Sequence, residues 1–197
     1  TFTKKSREAS IYLEPETSPL AYGLRRGIGV LFVTLLAQDQ APGFHGAAIN
    51  VDKCGILAPG DSGTGKSTFF TMFPESMQLN DEFVIVRDTP SGPRVYSTPF
   101  SEEWDKERKN RSPELIIVIK LVQAPDIQSR LIKGPEVLQI LNHNQILPAG
   151  AEQECQDNFK VLFNIAEKVK GMELSFTLDG EAVMDQVRSM VSFQKSR

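Results

Sequence analysis

With 197 residues, 40% of them apolar, the chain is long enough to bury a substantial core, and its default organisation is one domain. A net charge of −3, with no block of lysine and arginine longer than a few residues, argues against a nucleic-acid or anionic-membrane partner. The longest apolar run, Ile28 to Ala37, falls far short of the roughly 20 residues that span a bilayer, and the opening residues Lys4, Lys5, Arg7 and Glu8 do not read as a signal peptide, so a soluble cytoplasmic protein is expected.

Ser10 to Glu14 alternates and ends at Pro15, which suits an opening strand. Thr17 or Ser18 then caps a run starting at Pro19-Leu20, where Leu24, Ile28, Leu31, Phe32, Leu35 and Leu36 recur at spacings of three and four; this predicts helix with one broad face on a sheet. Ala41-Pro42-Gly43 breaks that pattern. Phe44 to Val51 and Cys54 to Ala58 read as two strands, the second feeding the stretch Gly60-Asp61-Ser62-Gly63-Thr64-Gly65-Lys66-Ser67-Thr68. Cys54 and Cys155 lie far apart without a C-x-x-C pair, so both are read as core or incidental thiols.

Gly60, Gly65, Lys66 and Ser67 stand at the spacing G-x-x-x-x-G-K-[ST] of a phosphate-binding loop. Glycines let consecutive backbone N–H groups turn inward with no Cβ in the way, which makes a concave anion site. Lys66 would then reach the β and γ phosphates, and the Ser67 hydroxyl would ligate Mg²⁺. Residues 60 to 68 are the candidate nucleotide-binding residues. After the loop, Thr68 to Phe73 continues as helix until Pro74, and Phe83 to Val86 is a β-branched, aromatic strand whose start carries acids. Ser91-Gly92-Pro93 makes a turn, Arg94 to Ser97 returns as a hairpin strand, and Pro99 to Arg111 reads as an exposed, charge-rich loop. Glu114 to Val122 is the most strand-like run. Helices are expected over Pro135 to Leu141 and Glu152 to Val169, a strand over Met172 to Leu178, and a closing helix capped by Asp179 that runs to about Phe193 with Ala182, Val183, Val187, Met190 and Val191 inward. The whole predicts an α/β fold.

Three motifs resemble the HPr kinase/phosphorylase catalytic domain and its smaller relatives, which share an active-site plan with the ATP-dependent phosphoenolpyruvate carboxykinases. His45-Gly46 followed by Gly60-Asp61-Ser62-Gly63-Thr64-Gly65-Lys66-Ser67 is similar to that family's His-Gly and G-D-S-G-x-G-K-S arrangement. Leu79-Asn80-Asp81-Glu82 before a hydrophobic strand resembles its paired-acid segment, usually Asp-Asp. Ser97-Thr98-Pro99-Phe100-Ser101-Glu102-Glu103 is similar to the Gly-Thr-Pro-Trp-x-Gly-Glu segment of small HPr-kinase-like proteins, including those beside lasso-peptide genes, with Ser97 and Glu102 in place of its glycines. The HPr-binding N-terminal domain of the bifunctional enzymes has no counterpart, so HPr itself is not the expected substrate.

The resemblance implies a mixed-sheet P-loop domain with flanking helices and an ATP- and Mg²⁺-dependent kinase acting on a hydroxyl, such as serine, of a peptide, small protein or metabolite. It also implies oligomers. Phosphoryl transfer needs the γ-phosphate held, its charge neutralised and an acceptor aligned. Asp81 is the first candidate to accept the hydroxyl proton or hold Mg²⁺, beside Lys66. Glu82 is a further metal ligand candidate, but adjacent strand residues face opposite ways, so both acids serve together only where the backbone is still turning. Glu103 is either a catalytic acid or a solvated charge, and His45 either tunes an acid or is a core histidine. His143, in Asn-His-Asn, reads as a turn residue. Arg108, Arg111 and Arg130 are all candidate charge-stabilising guanidinium groups, and Trp104 is either a loop anchor, the reading preferred, or an adenine or substrate contact. The rivals are a carboxykinase-like or phosphorolytic activity on the same site and a noncatalytic nucleotide-binding regulator.

Overall fold

A computed structural model describes residues 39–98, 100, 110–147 and 152–195, with short pieces at 2–3, 8–9, 28–29, 31–33 and 35–36. In chain order the elements are β1 (Phe2–Thr3), β2 (Glu8–Ala9), β3 (Gly43–Val51), β4 (Cys54–Pro59), α1 (Lys66–Thr71), β5 (Gln78–Asn80), β6 (Phe83–Thr89), β7 (Gly92–Tyr96) and β8 (Glu114–Gln123). There follow β9 (Gln128–Ile132), α2 (Gly134–His143), β10 (Gln145–Ile146), α3 (Glu152–Lys168), β11 (Lys170–Phe176) and α4 (Gly180–Lys195). The expected strand over Ser10 to Glu14 lies outside the described residues, as do most of the expected helix from Pro19 and the polar loop from Ser101 to Lys109.

The fold is mixed α/β around a nine-stranded mixed sheet. Strands β3 and β4 form a hairpin whose two turn residues, Asp52 and Lys53, both have positive φ (50° and 69°), the requirement of the tight turn that matches strand twist. β4 then runs parallel to β8, and β8 parallel to β11, with β9 antiparallel at the edge. The other edge of β3 carries β6 and β5, and β7 follows β6 as a hairpin. One register pair, Arg94 with Glu114, joins β7 back to β8, so β3, β6, β7, β8 and β4 close a ring.

The sheet is covered on both faces, which is why β4 is buried along its whole length. One face packs Ile49, Ile56, Ile119 and Leu174 against Phe69 and Phe73 of α1 and its neighbourhood and against Val183, Val187 and Val191 of α4. The other packs Leu57, Leu115 and Val118 against Val137 and Leu141 of α2 and Leu162 and Ile165 of α3. Alternation along β8 separates the two cores, since Ile117 and Ile119 point one way and Val118 the other. Asp179 caps α4 as expected, with its carboxylate accepting from the Ala182 N–H at 3.1 Å.

Three expectations need correction. Within the 28–36 region Phe32, Val33 and Leu36 face the core while Ile28 and Leu35 are exposed, so the apolar face is narrower and differently centred than the spacing suggested. β9 was not expected, because Gln-Ser-Arg at its start is too polar for an edge strand to announce itself. The last strand stops at Phe176 rather than Leu178; Leu178 is 84% exposed in the turn that leads to Asp179. Cys54 is a buried free thiol, as read, whereas the Cys155 side chain lies outside the described residues.

Candidate functional site

Strand β3 is the pivot of the site. On one edge its His45 carbonyl accepts from the Gly60 N–H at 3.3 Å, where the glycine-rich loop begins. On the opposite edge the Gly46 N–H donates to the Glu82 carbonyl at 3.3 Å, where the acidic turn lies. With about 4.8 Å between neighbouring strands, the loop and the acids are separated by two strand spacings, a gap that side chains and a phosphate group can bridge. Gly46 suits that place because a Cβ there would come within 3.1 Å of the Ala58 carbonyl and Pro59 Cα, the last turn of chain before the loop.

The loop leaves the end of β4 and enters α1 with Gly63 and Gly65 at φ 85° and 93°, the left-handed region that glycine enters without strain. The Asp61 carbonyl gathers the Thr64 N–H at 3.3 Å, the Thr64 hydroxyl at 2.8 Å and the Lys66 ammonium at 2.7 Å. Lys66 is therefore buried, at 6% exposure, instead of lying in a solvated pocket, because its side chain folds back over the loop. Ser62, Ser67 and Thr68 are exposed beside it. From the far side, the Gln123 amide of β8 donates to the Gly63 carbonyl at 2.9 Å.

Asp81 and Glu82 occupy the bend between β5 and β6, so the backbone is still turning there and the two acids are not forced onto opposite faces of a strand. Asp81 is buried at 6% exposure, while Glu82 is partly open and lies 3.7 Å from His45 Nε2. The bend is held by Asn80, which is fully buried. Its Oδ1 accepts from the Glu82 and Phe83 N–H groups, both at 2.9 Å, and its Nδ2 donates to the Thr98 carbonyl and hydroxyl at 3.0 and 3.1 Å. Thr98 in turn donates its hydroxyl to the Phe83 carbonyl at 2.7 Å. Phe100 completes the support by packing on Phe83 and Phe32, with ring centroids 5.8 and 5.3 Å apart. The Thr-Pro-Phe segment thus braces the acidic turn through Thr98 and Phe100. Glu103, Trp104 and Arg108 lie outside the described residues.

His143 is not a bystander in a turn. It ends α2, and its Nε2 stands 3.0 Å from Asp61 Oδ2 while the Asn144 carbonyl accepts from the His45 N–H at 3.0 Å. Both histidines of the chain thus contact the start of the loop, His45 through its carbonyl to the Gly60 N–H and His143 through its ring to Asp61. Of the candidate arginines, Arg130 is excluded from the loop by its own bonds. Its guanidinium makes a bidentate pair with Glu173 at 2.8 and 2.7 Å on the neighbouring strand, and Lys120 approaches the same carboxylate at 3.0 Å. Arg130 and then Lys120 hold the Glu173 carboxyl below the usual carboxylate range, and Glu173 raises both cations. Arg111 donates to the Ser76 carbonyl.

A cleft of about 310 Å³ adjoins the loop at the ends of β8 and β11, walled by Gly65, Gln123, Pro125, Phe176 and Leu178. No group of three or more His, Cys, Asp or Glu able to hold a metal occurs among the described residues. Magnesium in nucleotide sites is held by one or two carboxylates plus phosphate oxygens and waters, so Ser67, Asp81 and Glu82 suit such an ion as part of a set that the nucleotide completes. Nor is any helix among the described residues long and apolar enough to cross a membrane. No protein-family model matches the chain, and no curated protein matches it.

Proposed function

We propose that this chain is an ATP- and Mg²⁺-dependent phosphotransferase of the HPr-kinase-like type that moves the γ-phosphate to a hydroxyl, such as a serine, of a peptide, small protein or metabolite. The observation that carries the reading is the placement of the glycine-rich loop and the Asp81-Glu82 turn against opposite edges of β3 at His45-Gly46. A loop with two left-handed glycines and Lys66 suits a polyphosphate, and a buried carboxylate two strands away suits the acceptor end of that chain. Nothing in the glycine-rich loop itself requires the acids; their delivery to its side is what favours transfer over binding alone.

In this reading the loop N–H groups and Lys66 hold and neutralise the β and γ phosphates, and Ser67 with Asp81 or Glu82 would hold Mg²⁺, which neutralises charge on the transferring group. Asp81 orients the acceptor hydroxyl and takes its proton as the oxygen attacks the γ-phosphorus, while the bond from that phosphorus to the β–γ bridging oxygen breaks and ADP leaves. His45, 3.7 Å from Glu82, orients that carboxylate, and Asn80 and Thr98 fix the turn bearing both acids.

Single-turnover transfer from labelled ATP, with peptides and free hydroxy-amino acids offered as acceptors, is the test. Asp81→Asn keeps shape and removes the base, so ATP binding is expected to persist while transfer falls by roughly 10²–10⁴. Glu82→Gln is expected to cost less. Equal, slow ATP loss from wild type and Asp81→Asn with every acceptor would leave the chain a nucleotide-binding regulator without catalysis.

A further inference from the structure

Across the end of the sheet, the elements stand in the order acidic turn, β3, glycine-rich loop, β8 and β11. The two flanks of the loop differ completely in chemistry. Toward β3 lie Asp61, Asp81, Glu82 and both histidines. Toward β11 lies the cleft of about 310 Å³, and no charged side chain among the described residues lines it.

That cleft is within the range of small-molecule sites, roughly 300–1,000 Å³, and it opens at the carboxyl ends of the parallel strands β4, β8 and β11, where open α/β sheets bind ligands. It is continuous with the loop, since Gly65 belongs to both. A Cβ on Gly65 would stand 2.7 Å from Phe176 Cζ, so the cleft wall reaches the loop backbone itself. Phe176 is fixed there by Phe69 of α1, its ring centroid 6.2 Å away in an edge-to-face pair. Pro125 and the exposed Leu178 also line the cleft. Of the polar side chains that line it, the Gln123 amide is already committed through Nε2 to the Gly63 carbonyl, the Thr177 hydroxyl accepts from the Asp179 N–H at 3.2 Å, and Thr68 adds a hydroxyl beside the loop.

We infer that this cleft is the base subsite of the nucleotide, and that it accepts purine rings by apolar contact and stacking rather than by reading their hydrogen-bonding edges. The inference rests on the proposed binding of a nucleotide by the loop. A phosphate chain laid across the loop has its acceptor end among the acids, which leaves the uncharged flank to the uncharged end of the ligand. A wall of Phe176, Pro125 and Leu178 rewards ring area, and stacking of this kind is tolerant because every base presents a π-face. Adenine and guanine nucleotides therefore bind alike.

Calorimetric titration of the whole chain with ATP, GTP and inorganic tripolyphosphate, each with Mg²⁺, tests it. The expected result is ATP and GTP affinities within about threefold of each other and tripolyphosphate weaker by about tenfold or more, the size of one stacked base. Leu178→Ala removes an exposed side chain that supports no core, so it is expected to weaken ATP about fivefold or more while leaving tripolyphosphate unchanged. If tripolyphosphate binds as tightly as ATP, or if Leu178→Ala leaves ATP affinity intact, the subsite is wrong and the phosphate loop stands. A preference above tenfold for one purine overturns the tolerant recognition. Binding of neither ATP nor tripolyphosphate overturns the subsite and the loop reading together.

Discussion

Toward β3, the polar groups beside the glycine-rich loop are held by buried hydrogen bonds between side chains and main chain; toward β9, the polar groups of the sheet are held by ion pairs at its surface. Asn80 has no exposure and makes four bonds across a turn and a strand end, while Glu173 with Arg130 and Lys120 forms a ladder partly open to water. The contrast is one of dielectric. A buried amide with every bond made is costly to disturb, because each lost bond leaves a desolvated partner, whereas an exposed pair competes with water and salt at little net gain. The molecule thus has its rigid device where two carboxylates stand in a turn beside the glycine-rich loop, and its weak device where strands need only stay in register.

Breaking the rigid side should have the largest effect. Asn80→Ala removes the acceptor of the Glu82 and Phe83 N–H groups and a donor to the Thr98 carbonyl, and is expected to destabilise the protein by about 2–4 kcal/mol in denaturant titrations. It should also lower transfer in whatever fraction remains folded. A cost below about 0.5 kcal/mol would mean that water substitutes for Asn80 and that the turn is not rigid.

Lys66→Ala comes next. The ammonium bonds the Asp61 carbonyl within the loop itself, so the fold should survive; Mg-ATP binding should weaken roughly 10- to 100-fold, the loss of charge-assisted bonds worth about 1.5–3 kcal/mol. Calorimetry on the folded variant decides the point, and unchanged affinity would remove the loop from the nucleotide site.

How much of this was legible in the chain follows the range of each signal. The loop, β3, β4, β6 and β8 were readable because composition and alternation are local, and Asp179 announced α4 for the same reason. The bracing of the acidic turn was not: Asn80 reaches Thr98, 18 positions on, and nothing in Leu-Asn-Asp-Glu separates a bracing amide from one more polar turn residue. His143 reaches Asp61 across 82 positions, a contact made only when α2 folds over the sheet. Arg130 was misplaced as a candidate for the site because an arginine with acids elsewhere in the chain carries no mark of which acid it will face. β5 and β9 escaped notice through shortness and polarity. Topology, rather than propensity, assembled the site.

The smallest effect tests the weak side and sharpens the contrast. Glu173→Gln removes the shared acceptor of Arg130 and Lys120 but keeps the shape, and cross-strand pairs of opposite charge contribute about 0.2–1 kcal/mol each, so a loss near 1 kcal/mol is expected at neutral pH. The pH dependence follows from the directions of the shifts. Glu173 is held below its unfolded value of about 4.3, so its contribution is complete above that pH and fades as pH falls through the lower folded value. Lys120 is raised, so its part is present at neutral pH and lost only as pH rises through its folded value, above about 10. Urea midpoints for wild type and Glu173→Gln should therefore differ at pH 7, converge below about pH 4, and differ less at 0.5 M salt than at low salt. ATP binding should be equal in the two proteins. A gap that persisted unchanged at low pH would assign the loss to packing around Glu173 instead of charge, and the two sides of the sheet would then be held by the same kind of force.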